Sequence, residues 1–225
     1  MIMHRVTPES GWRIYGLAVL TGLMLSFGLA PAALADDAKP MGTVIITLSA
    51  PLLNGAPTDQ YIRYNIRARC PNHDCGGAAD FRYSVTDWML GPSPNDLAAA
   101  GGTGAVIVQQ LPPGNWELFT FQANIHGGRW RPDNYFSIPF TIKPGRGTYL
   151  GDYQPMGHTD AGLLTDYPSG VRFVVTDHSA RDIPIATAKN PGLGPVDIQV
   201  FNVDSMNNPL FGSADAPGPP AGESR

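Results

Sequence analysis

Apolar positions recur at a spacing of two along much of this chain, and helical spacing is rare. Ile62, Tyr64, Ile66 and Ala68 alternate with Arg63, Asn65, Arg67 and Arg69, which predicts a strand with an apolar inner face and a basic outer face. Phe81-Arg82-Tyr83-Ser84-Val85 alternates in the same sense, so the two segments read as a hairpin. Thr43 to Leu48 is a β-branched first strand ended by Pro51. Ala105–Leu111 and the stretch from Trp116 to about Ile125 flank Pro112-Pro113-Gly114-Asn115, a turn in which proline fixes one φ and glycine tolerates a positive one. Further strands are predicted over Phe136–Ile142, Thr148–Tyr153, Val171–Thr176 and Val196–Phe201. Ser179 to Lys189 is the best helix candidate, with Ser179 as its cap and Pro184 limiting it to a turn or two. About nine short strands with turns between them, and no repeat of fixed period, predict an all-β antiparallel sandwich with one short helical segment.

The amino terminus does not join that pattern. His4, Arg5 and Arg13 precede an uncharged stretch from Ile14 to Ala30, Pro31 then breaks any helix, and Ala33-Leu34-Ala35 supplies small residues for cleavage. Residues 1–35 therefore read as a secretory signal peptide, the rival being a retained membrane anchor. No cysteine follows the apolar run, so lipid attachment at the cleavage site is excluded. Residues 36–39 form a polar leader, 40–211 one domain, and 212–225 a disordered tail rich in Pro, Gly and Ala. The expected location is secreted or periplasmic, with no integral membrane span once the signal is removed. Composition narrows the class further. A 43% hydrophobic content excludes a disordered chain, 15% charged residues excludes a coiled coil, and a net charge of −4 argues against nucleic acid as a partner.

Cys70 and Cys75 enclose Pro71-Asn72-His73-Asp74. In an exported protein the pair reads as a local disulfide. A metal site using Cys70, His73 and Cys75 lacks a second ligand pair, and a redox site more commonly has two intervening residues.

Val108-Gln109-Gln110-Leu111-Pro112-Pro113-Gly114-Asn115-Trp116-Glu117-Leu118 resembles the strand, Leu-Pro-x-Gly turn and strand of transthyretin-like domains, which include the carboxypeptidase regulatory-like domains. Phe136 to Gly145, followed by Thr148-Tyr149-Leu150-Gly151, resembles uncharacterised secreted bacterial proteins built on such a sandwich, and Arg181-Asp182 with Ala186–Pro191 fits loosely. The resemblance covers residues 105 to 191. It implies a Greek-key (Ig-like/transthyretin-like) β-sandwich and an accessory, binding or structural role, and it carries over no catalytic residues.

Chemistry is sparsely marked. His73, His126, His158 and His178 fall in predicted loops or at strand ends, where Asp74, Asp160 or Asp177 would complete a metal site, but no His-x-His or His-Glu-x-x-His spacing supports one. Ser169-Gly170 and Ser179 lack a Gly-x-Ser-x-Gly elbow, Asp160 and Asp166 share a loop as turn aspartates do, and Gly101-Gly102-Thr103-Gly104 lacks the lysine and helix of a nucleotide site. No catalytic residue, metal or cofactor is assigned. The most suggestive surface feature is the segment from His126 to Tyr135, where Arg129, Trp130, Arg131 and Tyr135 surround a hairpin tip. Rings flanked by guanidinium groups stack on a sugar or hold a carboxylate; the plainer account folds Trp130 over the sheet end and leaves the arginines solvated. Arg63, Arg67 and Arg69 read as a solvated sheet face that discourages edge pairing.

Three readings of function follow. The first is an exported non-enzymatic module of the cell envelope or periplasm with a protein or glycan partner. The second is a secreted hydrolase or metal-dependent enzyme with a site built from loops. The third is a structural envelope component whose edge strands assemble with copies of itself.

Overall fold

The computed structural model describes residues 40–53, 56–57, 63–72, 75–85, 93–125, 128–160, 167–205, 208 and 210–212. Contacts divide the chain into Met1–Asp37 and Ala38–Arg225. The proposed signal and leader lie outside the described residues, as do His73, Asp74, His126, Asp166 and the tail beyond Gly212.

Thirteen strands and one helix are described: β1 (Gly42–Ser49), β2 (Leu52–Leu53), β3 (Ala56–Pro57), β4 (Arg63–Arg69), β5 (Ala78–Ser84), β6 (Gly104–Leu111), β7 (Gly114–Ile125), β8 (Gly128–Trp130), β9 (Ile138–Ile142), β10 (Gly147–Asp160), β11 (Tyr167–Thr176), α1 (Ser179–Lys189), β12 (Val196–Ile198) and β13 (Phe211–Gly212). They form two sheets. The larger runs β13-β11-β10-β1-β6, with β2 and β12 also on β10 and β3 on β2. The smaller runs β5-β4-β7-β8, with β9 also on β7. The architecture is an all-β sandwich. Pairing in the smaller sheet is antiparallel throughout. The larger sheet is mixed, because β1 lies parallel to β10.

The alternating strands β4, β5 and β9 each bury one face against the opposite sheet. Tyr64, Phe81, Phe121, Phe136 and Phe173 meet there in one cluster with Val44, Ile46 and Leu48. Strand β1 differs because all eight of its residues are buried. Its second face, led by Ile45, packs with Leu97, Val106, Tyr149 and Ala186 of α1. The molecule is therefore three layers deep on this side. An unbroken β-branched run suits that place, since neither face of the strand meets water.

Helix α1 has the expected bounds, but it does not stop after two turns. Pro184 sits on its exposed side and costs a backbone donor, while Asp182 and Ala186 are anchored in the layer below. Tertiary contacts outweigh that local penalty. Ser179 is not the cap: the helix begins after His178, and the Asp177 carboxylate accepts the Ser179 N–H at 2.9 Å.

Two bulges set which side chains share a face. In β10, Ile45 pairs with Tyr149 but Thr47 pairs with Asp152. The extra residue comes at Gly151, whose φ of +107° is one that L side chains rarely adopt. Asp152 thereby joins Tyr149 on the α1 side, and Tyr153 turns into the core. In β7, Arg67 pairs with Thr120 but Ala68 pairs with Leu118, leaving Phe119 as the extra residue. Phe119 lies on the outer face with Thr120, and Phe121 still points inward.

Candidate functional site

Two regions gather charged and polar side chains, one under α1 and one on the open face of the smaller sheet. The first is buried. Asp182, fully inaccessible, accepts hydrogen bonds from Thr47 Oγ1 (2.7 Å), Tyr149 Oη (2.6 Å) and Arg181 Nε (2.6 Å). Asp152 accepts from Ser49 Oγ and Arg181 Nη2, both at 2.8 Å, with His178 Nδ1 at 3.1 Å from the same oxygen. Burial of the Tyr149 phenol, reinforced by the Asp182 carboxylate, pushes its pKa up. Burial acts to lower the pKa of Arg181, but the two carboxylates outweigh it and hold the guanidinium charged. A serine, an aspartate and a histidine thus meet, but in the wrong order for nucleophilic catalysis. The base must stand between hydroxyl and carboxylate; here the carboxylate stands between hydroxyl and imidazole. The arrangement clamps α1 to β1 and β10.

The second region is open. Arg63, Asn65, Arg67 and Arg69 face outward from β4 by the parity of the strand, beside Asp80 and Arg82 of β5 and Thr120, Gln122 and Asn124 of β7. After β8, residues 131–137 run along the edge of β7 away from β4 and lead into β9, with the Phe136 N–H donating to the Phe119 carbonyl at 3.1 Å. A groove of about 540 Å³ results, bounded by Asn65, Arg67 and Arg82 on one side and Arg131, Asp133 and Tyr135 on the other. That volume falls within the ~300–1,000 Å³ usual for ligand sites. A second depression of about 240 Å³ continues it past Arg63 and Asn124 and shares Asn65, Arg82 and Gln122 with it.

Phe119 stands beside the groove and supports the side chains at its Tyr135 end. The Arg69 guanidinium lies 4.7 Å and that of Arg67 5.7 Å from its ring centroid. The Tyr135 ring meets it edge-on at 5.2 Å and is itself 68% exposed. Some of the charge is internally balanced. Arg69 pairs with Glu117 at 2.6 Å, and Arg82 with Asp80 at 2.6 Å, where Asn65 also donates. Burial would raise the Glu117 pKa, but the Ser137 hydroxyl and Arg69 hold it below the usual value. Arg63, Arg67 and Arg131 have no carboxylate partner among the described residues.

The four residues singled out from the sequence do not stay together. Trp130 pairs with Ala123 and packs against the core, with its buried indole N–H lacking a hydrogen-bond partner among the described residues. Arg129 pairs with Asn124, is exposed, and donates to Gln122 Oε1 at 2.8 Å. Arg131 and Tyr135 line the groove. They are joined there by Arg67 and, through Phe119, by Arg69, both of which the sequence placed on a merely solvated face. The available signal was Phe119, an aromatic at what alternation would make a polar position. Cys70 and Cys75 form a disulfide at the far end of the β4–β5 hairpin. Gly114 abuts it, and a Cβ there would come within 2.9 Å of Cys75 Sγ. Among the described residues no group of His, Cys, Asp or Glu is placed to hold a metal ion, and no helix is long and apolar enough to cross a membrane.

No family model and no curated protein matches the chain. Two solved structures share a faint likeness. One is a leucine-rich repeat protein from Bacteroides thetaiotaomicron, at 15% identity over 52% of this chain and 14% of that one, with a TM-score of 0.27. The other is a proposed cell adhesion protein from Bacteroides ovatus, at 12% identity over 59% of this chain and 44% of that one, with a TM-score of 0.26. The chain thus spans about a seventh of the first and under half of the second. Likeness at this level says nothing of role.

Proposed function

We propose that this chain is an exported, non-enzymatic binding module of the cell envelope or periplasm, and that its ligand lies on the outer face of β4, β5 and β7. One observation carries the reading. On a chain of net charge −4, this face presents, among the described residues, six arginines (63, 67, 69, 82, 129 and 131) against three carboxylates, with no carboxylate among those residues paired to Arg67 or Arg131 in a groove beside an exposed tyrosine. Guanidinium groups left without internal partners recognise external carboxylates or phosphates bidentately. A rigid sheet flanked by a loop at its edge is also how sandwich folds acquire binding sites. The signal-like amino terminus and the disulfide support export. The turn motifs shared with transthyretin-like and carboxypeptidase regulatory-like domains support an accessory role.

The test is co-sedimentation with washed envelope and cell-wall fractions. Wild-type protein is expected to pellet in a salt-sensitive manner, and Arg67→Ala/Arg131→Ala to remain in the supernatant at unchanged melting temperature. Equal pelleting of the two proteins would remove the face from consideration.

A further inference from the structure

We infer that the ligand of this groove is a carboxylated polysaccharide, bound with its sugar rings along β4 and its carboxylates on Arg67 and Arg131. The inference rests on the binding face proposed above and names what occupies it. Three features select this chemistry over other anions.

The first is shape. The two depressions share Asn65, Arg82 and Gln122, so they form one trough along the sheet. Arg63 and Arg67 lie four positions apart on β4, roughly 13 Å at the usual strand rise. A trough of that length suits a chain rather than a single small anion.

The second is the mixture of groups. Asn65, Gln122 and Asn124 offer both donors and acceptors, as hydroxyl-rich ligands require. Asp80 and Asp133 stand in the same groove as Arg67, Arg82 and Arg131. Those carboxylates accept from hydroxyls and repel a densely phosphorylated or sulfated chain, but they tolerate one with a single carboxylate per sugar.

The third is Tyr135. Its ring is held edge-on by Phe119, with the Arg69 guanidinium 5.4 Å from its centroid, and it stands 68% exposed at the groove rim. A fixed, solvent-facing ring beside guanidinium groups is a platform for the C–H face of a pyranose. An acidic peptide would have less use for it. Phe119 serves underneath by stacking with Arg67, which limits the freedom of that guanidinium before any ligand arrives.

Calorimetric titration with oligogalacturonate and with alginate oligosaccharides tests the assignment, with methyl-esterified oligogalacturonate and poly-glutamate as comparison ligands. Both acidic oligosaccharides are expected to bind wild type. Methyl esterification should abolish binding, poly-glutamate should bind at least about tenfold more weakly, and Tyr135→Ala should weaken oligosaccharide binding about tenfold without moving the melting temperature. Equal affinity for poly-glutamate, unaffected by Tyr135→Ala, would overturn the inference in favour of an acidic protein surface. If neither oligosaccharide binds while envelope sedimentation still depends on Arg67 and Arg131, the ligand class falls and the face stands. If both oligosaccharides bind equally well to Arg67→Ala/Arg131→Ala, the face falls as well.

Discussion

The layer under α1 and the outer face of the smaller sheet are built from the same residue types and handle them in opposite ways. Under α1, Arg181 spans two carboxylates, and the hydroxyls of Thr47, Ser49 and Tyr149 serve the same two groups. On the outer face, arginines outnumber carboxylates, and Arg67 leans on an aromatic ring instead of an acid. A buried charge must be matched inside the protein, because the interior offers no water to solvate it. An exposed charge faces no such demand, so a surplus there is free to serve a ligand. Engagement, rather than residue type, separates the structural cluster from the candidate site.

The sharpest way to break this contrast is to remove an internal partner. Asp182→Ala strands three donors under α1 and is expected to cost about 3–5 kcal/mol, measured by urea denaturation, with retained groove binding in the folded fraction. A loss below about 1 kcal/mol would mean that the clamp is not what holds the helix. Next in size is the disulfide. Cys70→Ser/Cys75→Ser opens a small ring and should lower stability by about 2 kcal/mol, while oligosaccharide affinity stays within twofold, because neither cysteine lines the groove. On the outer face itself, Arg67→Ala and Arg131→Ala should each change stability by no more than about 0.5 kcal/mol, yet together abolish sedimentation with envelope. A stability loss matching that of Asp182→Ala would show that the two regions are not different in kind.

The smallest effect concerns an exposed clasp. Arg146 and Lys143 lower Asp197 from its ordinary 3.8 to about 2. A carboxylate with a depressed folded-state pKa stabilises above its unfolded value and loses that contribution as pH falls through the folded one. The melting temperatures of wild type and Asp197→Asn should therefore differ modestly at pH 6, draw together as pH falls toward 2 and converge only below it. A gap as wide at pH 2 as at pH 6 would assign the effect to packing.

The parts of this molecule that were legible in the sequence are those governed by local pattern. The alternation in β4 and β5 gave their faces, the Pro-Gly turn gave the junction before β7, and the span from Ser179 to Lys189 gave α1. The length of α1 was not legible, because Pro184 opposes it locally and the burial of Asp182 and Ala186 that overrides it is tertiary. The groove was half legible for a similar reason. Arg63, Arg67 and Arg69 share a face by parity alone, but their meeting with Arg131 and Tyr135 depends on which strand lies beside β4 and on where the segment between β8 and β9 runs. Trp130 looked like part of the same cluster by adjacency, and pairing with Ala123 turned it inward. The clamp under α1 joins β1, β10 and the helix across more than a hundred positions of sequence, as between Thr47 and Asp182, and no spacing rule reaches that far.

The bulge at Gly151 makes β10 sensitive to counting as well as to chemistry. Beyond that point each residue owes its side of the sheet to the bulge that takes one extra position out of the alternation. Deleting Gly151 would leave plain alternation with Asp152 and Tyr153 on their present sides, whereas a side chain that forbade its positive φ and forced regular pairing would deliver the Asp152 carboxylate to the aromatic core and the Tyr153 ring to the helix. The separation of oil from charge on this strand therefore hangs on one backbone angle, and relatives of this protein should either keep a glycine here or lack the position altogether.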